Sequence, residues 1–436
     1  MLIGGLFDVR SGKRRGPLLG GGGGGAAPRA LNVVGGLWPL AQLVGTTVAG
    51  ESNYVRLRNR SGKTLTNVTV DYGNAYMQVA GDVTTTLDTL ILNSAVAYPA
   101  VTDVTRLATE EAIAPGEVKS FTATGLSIPP GAMFYICTDV RPLNTDGRYP
   151  TAYLGAGTIS VSDRGREVYL KPDGVPQVKA AAGIPLTGAS TANIYTPLSV
   201  RSTDHSNFSV AVLGDSWVQG SGDGTNSGDI TTGIYGRATS GLYPYLALGY
   251  AGAEVRNHSA DGKLFQRLGI LERGITHAIV EWGINDTIAS GSSLASIQGH
   301  LTTVAQRIAD LGVKPIAHTI GPRTSSTDNW ATVENQTPSA GYVAGPNGLT
   351  GASSDITAAL NDWLLTVPAP FHDVVDIGNA LMSAPNSNRW GVYSDGTTPT
   401  RWTSDGVHPA KTGTSSGAVY VAIPVLQAKL AQWAAE

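Results

Sequence analysis

Four short blocks in the second half of the chain carry side chains able to do chemistry together. They read Gly214-Asp215-Ser216, Asn257-His258-Ser259-Ala260-Asp261-Gly262, Gly283-Ile284-Asn285-Asp286 and Ser404-Asp405-Gly406-Val407-His408-Pro409. A serine hydroxyl is a poor nucleophile until a base takes its proton during attack. Imidazole, with a pKa near ~6.5, is matched to that task at neutral pH. An aspartate three residues before a histidine on one loop, as Asp405 stands before His408, can orient the ring and stabilise imidazolium. Taken singly, each block also has a plainer reading. Glycines after strands form turns, Asp286 reads as a helix N-cap, Asp215 as a carboxylate holding its turn through backbone amides, and His258 as a pocket residue or a packing residue.

The blocks need a frame, and residues 206–436 supply one. FSVAVLG (208–214) is too β-branched and too short for a helix and reads as a buried strand. A helical stretch around 240–252, a strand at 253–257 and a helix near 263–273 are expected next. HAIVEWG (277–283) follows as a strand. Residues 292–312 place Leu294, Ile297, Leu301, Val304, Ile308 and Leu311 on one helical stripe, with Gly312 as a stop. KPIAHTIG (314–321) reads as a strand, 354–366 as a helix, HDVVDIG (372–378) as a strand, and 414 to 436 as a last helix. Strands alternating with helices predict a three-layer, doubly wound parallel sheet of the α/β class. In that architecture ligands bind at the C-terminal strand ends, where all four blocks fall.

In this order the blocks resemble the SGNH hydrolase superfamily, also called GDSL esterases and lipases, over roughly 206–436. Trp217 stands where leucine is common. The resemblance implies a flavodoxin-like fold and a serine ester hydrolase needing no metal or organic cofactor. It makes Ser216 the nucleophile and His408 the general base, with Asp405 orienting it. Ser216 would sit where the first strand turns into a helix, whose N-terminus offers N–H groups to an anion. The backbone N–H groups of Ser216 and Gly262 and the Asn285 side-chain amide would form the oxyanion hole. Glycine at 262 would let the backbone approach the substrate closely.

Residues 31–205 read as an N-terminal all-β sandwich or jelly roll. Short runs such as NYVRLRN (53–59), TLTNVTVDY (64–72), EVKSFTAT (117–124), AMFYICT (132–138), TISVSD (158–163) and EVYL (167–170) are separated by turn sequences such as APGE and IPPG. In 64–72, Thr66, Val68, Val70 and Tyr72 form the more apolar side. Residues 1–30 end in a glycine run and read as an arm, a linker or an assembly contact. Long Gly/Ser/Thr-rich stretches after Ser216 and at 321–350 read as cleft walls or lids. The acids of GDGTNSGD (222–229) hint at a calcium loop but miss EF-hand spacing, and no metal site is expected.

Composition narrows the function classes. Charged residues make up 14%, against roughly 25% in an average soluble domain, and 55 of 436 residues are glycine, nearly twice the usual ~7%. This balance suits an extracellular or virion-associated protein. With 30 basic against 33 acidic residues and a net charge of −3, the electrostatic footprint of a nucleic-acid binder is missing. No run reaches the ~18 apolar residues of a membrane-spanning helix, and no secretory signal is recognisable at the N-terminus. The single cysteine, Cys137, lies in an apolar run and reads as a buried inert thiol, which leaves neither a disulfide framework nor a cysteine-based zinc site. An accessory β-sandwich resembles the arrangement in carbohydrate esterases, and exposed aromatics such as Trp217, Trp282, Trp330 and Trp402 could stack on sugar rings, while core tryptophans are also common and Trp282 at its strand end could simply pack. An acetylated polysaccharide is therefore the first expected substrate and a lipase or short-chain aryl ester activity the second. A phage-tail or cell-surface structural protein carrying this domain is the rival from another class. The oligomeric state stays open.

Overall fold

Strands buried on both faces are nearly continuous apolar runs, and four such strands, Val210–Gly214, Tyr245–Gly249, His277–Val280 and Lys314–His318, form the centre of the second half with a half-buried fifth, Asp373–Val375. The computed structural model describes residues 29–37, 40–43, 50–84, 87–144, 147–153, 166–170, 180–183, 193–223, 233–239, 241–288, 292–338, 354–394, 399–410 and 417–436. The five strands pair in parallel, spatially in the order second, first, third, fourth, fifth. That is the flavodoxin-like order, with a switch point between the strands that precede Ser216 and Asn285.

Two groups of helices flank this sheet. One comprises α1 (Gly233–Thr239), α6 (Ile377–Ala380) and α7 (Ala418–Ala434). The other comprises α2 (Val255–His258), α3 (Phe265–Gly274), α4 (Leu294–Asp310) and α5 (Ser354–Leu365). In α4, Ser293 caps the first turn by accepting from Ser296 N, and Ile297, Leu301, Val304 and Ile308 form the buried stripe.

One stretch departs from the sequence expectation. Residues 240–252, read as helical, contain the buried strand Tyr245–Gly249, and 253–257, read as a strand, enters α2. Leu and Ala favour helices in isolation, but YLALG is buried along its whole length, and tertiary packing overrides propensity. Helix α2 starts where it does because the Asp286 carboxylate accepts from Val255 N at 2.9 Å and Arg256 N at 3.1 Å.

The two largest sheets of the β-rich half are antiparallel, and a three-stranded sheet (Asn193–Ile194, Pro150–Tyr153, Leu40–Leu43) and a hairpin (Tyr76–Gln78, Gly81–Val83) accompany them among the described residues. Of the two largest, one orders Leu31–Asn32, Ser199–Ser202, Leu65–Gly73 and Val118–Ile128. The other orders Arg166–Leu170, Glu51–Arg58, Met133–Pro142, Leu90–Ala97 and Val104–Ile113. Val68, Val70 and Tyr72 are buried as the alternation predicts, and the Tyr72 hydroxyl joins the sheets by bonding Ser94 Oγ and Thr138 Oγ1. Asp71, expected to face out, is also buried, because Arg201 holds it through two bonds of 2.6 and 2.7 Å. Leu90–Ala97, buried throughout, lacks the alternation that would have marked it as a strand. Cys137 is buried, which pushes its thiol up to about 12. The segments 1–28 and 158–163 lie outside the described residues.

The halves are stitched together. Gly35–Leu37 leaves the β-rich half to add a sixth parallel strand beside Tyr245–Gly249. Asp82 accepts from Gln266 N and Arg267 N at the start of α3 and pairs with the buried Arg267 guanidinium at 2.6 Å. Removing one partner of a fully buried pair leaves an uncompensated charge. Asp82→Ala should therefore cost about 3–5 kcal/mol of unfolding free energy, read from urea denaturation midpoints. A loss below ~1 kcal/mol would mean that this pair does not hold the halves together.

Candidate active site

Ser216 lies two residues past the strand Val210–Gly214 and is 7% exposed, a recessed hydroxyl open on one side. The expected helix does not begin there. Residues 215–221 form a series of turns, with Gln219 N bonding Asp215 O, Gly220 N bonding Trp217 O and Ser221 N bonding Ser216 O, and the next described helix is α1, Gly233–Thr239. Local amides, rather than a helix dipole, must therefore serve the site. The flanking N–H groups are committed: Asp215 N donates to Glu281 Oε2 and Trp217 N to Asp215 Oδ1. The Ser216 N–H between them has no partner among the described residues.

His408 and Asp405 meet Ser216 from the other end of the domain. The Ser216 hydroxyl donates to His408 Nε2 at 2.8 Å, and His408 Nδ1 donates to Asp405 Oδ2 at 2.6 Å. Asp405 Oδ1 also accepts from the backbone N–H groups of Val407 and His408, both at 2.9 Å. Partial burial works against the Asp405 charge. The bonds from the His408 ring and from these amides outweigh it and hold the carboxyl well below the usual range. An ionised carboxylate only accepts, so the ring proton sits on Nδ1 and the Nε2 lone pair faces the serine.

The loop bearing Asp405 and His408 is pinned by residues the sequence did not single out for that purpose. Trp217 Nε1 donates to Val407 O at 2.9 Å and Trp390 Nε1 to Gly406 O at 3.0 Å, while Thr324 N bonds Gly406 O. Gly406 has φ +79, and a Cβ there would lie 1.8 Å from Thr324 O, so only glycine fits. Of the four tryptophans expected to be exposed, Trp217 and Trp282 are buried, and Trp330 and Trp402 are half-buried. Sequence position alone could not separate an indole that anchors a loop from one that faces a ligand. Trp330 lies against Gly406 and donates to Thr324 Oγ1.

Asn285, after the third parallel strand, points its amide at Asp215 Oδ2 (2.9 Å) and at Ala253 O (3.1 Å). Both N–H groups are thus occupied, and donation to an oxyanion requires one to swing away. Among the described residues no hydrogen bond links Gly262 to Ser216, Asn285 or His408. Gly262 lies on an exposed turn at φ +73 with nothing within 4 Å of a notional Cβ, and neighbouring Ala260 and Asp261 are held by Arg307 near the end of α4. The loop that follows the second strand instead presents Gly252, at φ +75, beside the Ala253 carbonyl that Asn285 meets.

Asp215 holds its turn as read, by accepting from Trp217 N, whereas Asp286 is not the N-cap of the segment it opens: it lies within the short 3-10 helix Asp286–Ile288, and its carboxylate caps α2 instead. His258 is a packing residue, fully buried, stacked on Trp282 at 4.8 Å and pushed down to about 2 by burial and by Arg267. Asp223, first acid of the supposed calcium loop, is spent on Arg237 and Gly233 N, and 224–232 lies outside the described residues, as does 339–350 of the second long insertion.

No family model matches the chain, and no curated protein matches it. Among solved structures, a family two carbohydrate esterase from Clostridium thermocellum in complex with cellohexaose is similar at 9% identity and TM-score 0.33, covering 93% of this chain and 98% of that one. A GDSL-like lipase from Bacteroides thetaiotaomicron is 13% identical at TM-score 0.31, covering 51% and 88%. A carbohydrate esterase family 3 protein from Talaromyces cellulolyticus is 16% identical at TM-score 0.30, covering 52% and 98%. Chains this dissimilar share a fold at most, so the roles of individual side chains must come from the geometry around Ser216.

Behind the serine lies a carboxyl cluster that the sequence reading missed in part. Burial pushes Asp215 up to about 7 and Asp286 up to about 6, and it raises Glu281, which is fully buried against Asp215, well above the carboxylate range. An acid with a raised folded pKa keeps a proton that the unfolded chain has released, so stability falls as pH rises from the unfolded toward the folded value. For Asp215 that window runs from 3.8 to about 7. Glu281→Gln can still accept from Asp215 N but cannot ionise. Its stability relative to the parent should therefore rise as pH goes from about 5 to about 8, read from urea midpoints across that range. A pH-independent difference would contradict a buried protonated Glu281.

Proposed function

We propose that this protein is a serine ester hydrolase and that its substrate is an O-acetylated carbohydrate. The single observation that carries the reading is the unbroken chain from Ser216 Oγ through His408 to Asp405, at 2.8 and 2.6 Å. Ser216 Oγ attacks the ester carbonyl carbon while Nε2 of His408 takes its proton. The tetrahedral intermediate collapses as imidazolium returns that proton to the leaving alcohol, forming an acyl-enzyme. Water, deprotonated by His408, then attacks the acyl carbon and releases the acid and free Ser216. The uncommitted Ser216 N–H and the Asn285 amide, once it turns from Asp215 or Ala253, are the proposed donors to the developing oxyanion, with the Gly262 N–H expected as the third.

The acyl group is short in this reading. Half-buried Trp330 beside the His408 loop offers a ring face for a sugar. The two antiparallel sheets are read as an accessory β-sandwich spanning 31–205, with 206–436 as the hydrolase domain. An extracellular or virion-associated location fits the low charge. No helix among the described residues is long and apolar enough to cross a membrane.

Ser216→Ala should abolish acetate release from acetylated polysaccharides and aryl acetates while leaving the circular dichroism spectrum unchanged. Retained turnover would exclude the nucleophile assignment. Asn285→Ala should lower kcat by roughly 100- to 1000-fold. Aryl esters of increasing chain length test the acyl preference, since faster turnover of long chains would replace the acetyl-ester reading with a lipase one.

A further inference from the structure

The edge of the parallel sheet opposite Ser216 carries a second cluster of chemically capable side chains. His277 opens the third strand, Lys314 opens the fourth, and His372 immediately precedes the fifth. Glu436, just past α7, reaches all three. Its Oε2 lies 3.0 Å from His372 Nε2 and 3.7 Å from His277 Nε2, and it also pairs with Lys314. One ligand atom from each histidine and from the carboxylate fit within 4.8 Å of one another. A cavity of about 450 Å³ opens here, lined by Thr276, His277, Lys314, Trp433 and Glu436 among others.

The tautomer of His277 gives this cluster direction. Thr276 Oγ1 donates its only proton to Ser209 O at 2.7 Å, so toward His277 Nδ1, 2.9 Å away, it can only accept. Nδ1 therefore carries the ring hydrogen, and Nε2 turns a bare lone pair toward Glu436. That atom is buried without a hydrogen-bond partner in a residue only 4% exposed. Stacking on Trp433 at 5.9 Å and contact with Phe208 fix the ring plane but satisfy no lone pair. A lone pair facing a carboxylate oxygen at 3.7 Å is the wrong pairing for a hydrogen bond and the right one for a shared cation.

We propose that His277 Nε2, His372 Nε2 and the Glu436 carboxylate form a binding site for a divalent zinc-class ion, separate from the Ser216 centre. Ligands about 2.0–2.2 Å from a tetrahedral zinc lie about 3.3–3.5 Å apart, which the 3.0 and 3.7 Å separations bracket. Two imidazoles and one carboxylate make a donor set suited to zinc rather than to calcium or magnesium. The Thr276 hydroxyl on Nδ1 of His277 is the outer partner that such a ligand needs. On binding, His372 moves the hydrogen it presents to Glu436 onto its other ring nitrogen, Lys314 releases the carboxylate, and water from the cavity fills the fourth position. The ion would tie the starts of the third and fifth strands to the end of α7, which makes its role structural.

The test is zinc titration of the full chain after chelator treatment, followed by competition with a chromophoric chelator and by thermal unfolding. One zinc per chain and a raised Tm are expected. His372→Ala, at a partly exposed position where folding should survive, should weaken binding at least about tenfold. His277→Ala should abolish it. Lys314→Met should strengthen it by removing the competing ammonium, whereas Ser216→Ala should leave it unchanged. No saturable zinc binding in the parent would overturn the proposal, as would affinity indifferent to His372→Ala, whether or not His277→Ala folds.

Discussion

The 2.8 Å contact between Ser216 and His408 joins points 192 residues apart in the chain, and the geometry of the whole site depends on it. A hydrogen bond of this kind contributes about 1 kcal/mol net. Ordering each residue of the loop that bears His408 costs about 1–2 kcal/mol, so the contact cannot hold its own partner in place. The loop is held by other groups: indole N–H bonds from Trp217 and Trp390, the Thr324 bond to Gly406, and the two amides that the Asp405 carboxylate gathers. Trp217 and Trp390 lie 6.0 Å apart and are both buried, so apolar burial does most of the stabilising and their N–H groups set the position.

On the other side of the serine the constraint is electrostatic. Asp215, Glu281 and Asp286 lie in a low-dielectric interior where three charges could not coexist, and burial shifts all three toward the protonated form. Their oxygens are still used. Glu281 takes Asp215 N, Asp215 takes Trp217 N and the Asn285 amide, and Asp286 starts α2. The effect is to lock up the amides around Ser216 and leave its own N–H unused. The commitment of both Asn285 N–H groups implies that substrate binding rearranges this side of the site.

Much of this was legible in the sequence because the parallel strands announce themselves as apolar runs and the functional residues follow them directly. Ser216, Asn285, Asp405 and His408 all sit in short blocks whose local chemistry is readable, and three of them meet as expected. The misreadings share a cause, which is that they depend on distant partners. YLALG looked helical until its burial on both faces was known, and α2 is started by Asp286 from another loop. Trp217 was read as a surface ring because nothing nearby in sequence shows that Val407 will accept from it. Glu281 was overlooked because nothing near it in sequence shows that Asp215 N will donate to its carboxyl. The cation cluster gathers residues from three strand starts and one helix end, and no local pattern marks it.

The most direct test of the central claim is covalent. A fluorophosphonate reacts with a serine only when a neighbouring base activates it, and peptide mass spectrometry locates the adduct. The account predicts one adduct per chain, on the peptide containing Ser216, and its loss in His408→Ala. An unlabelled Ser216, or labelling that persists without the His408 imidazole, would contradict it.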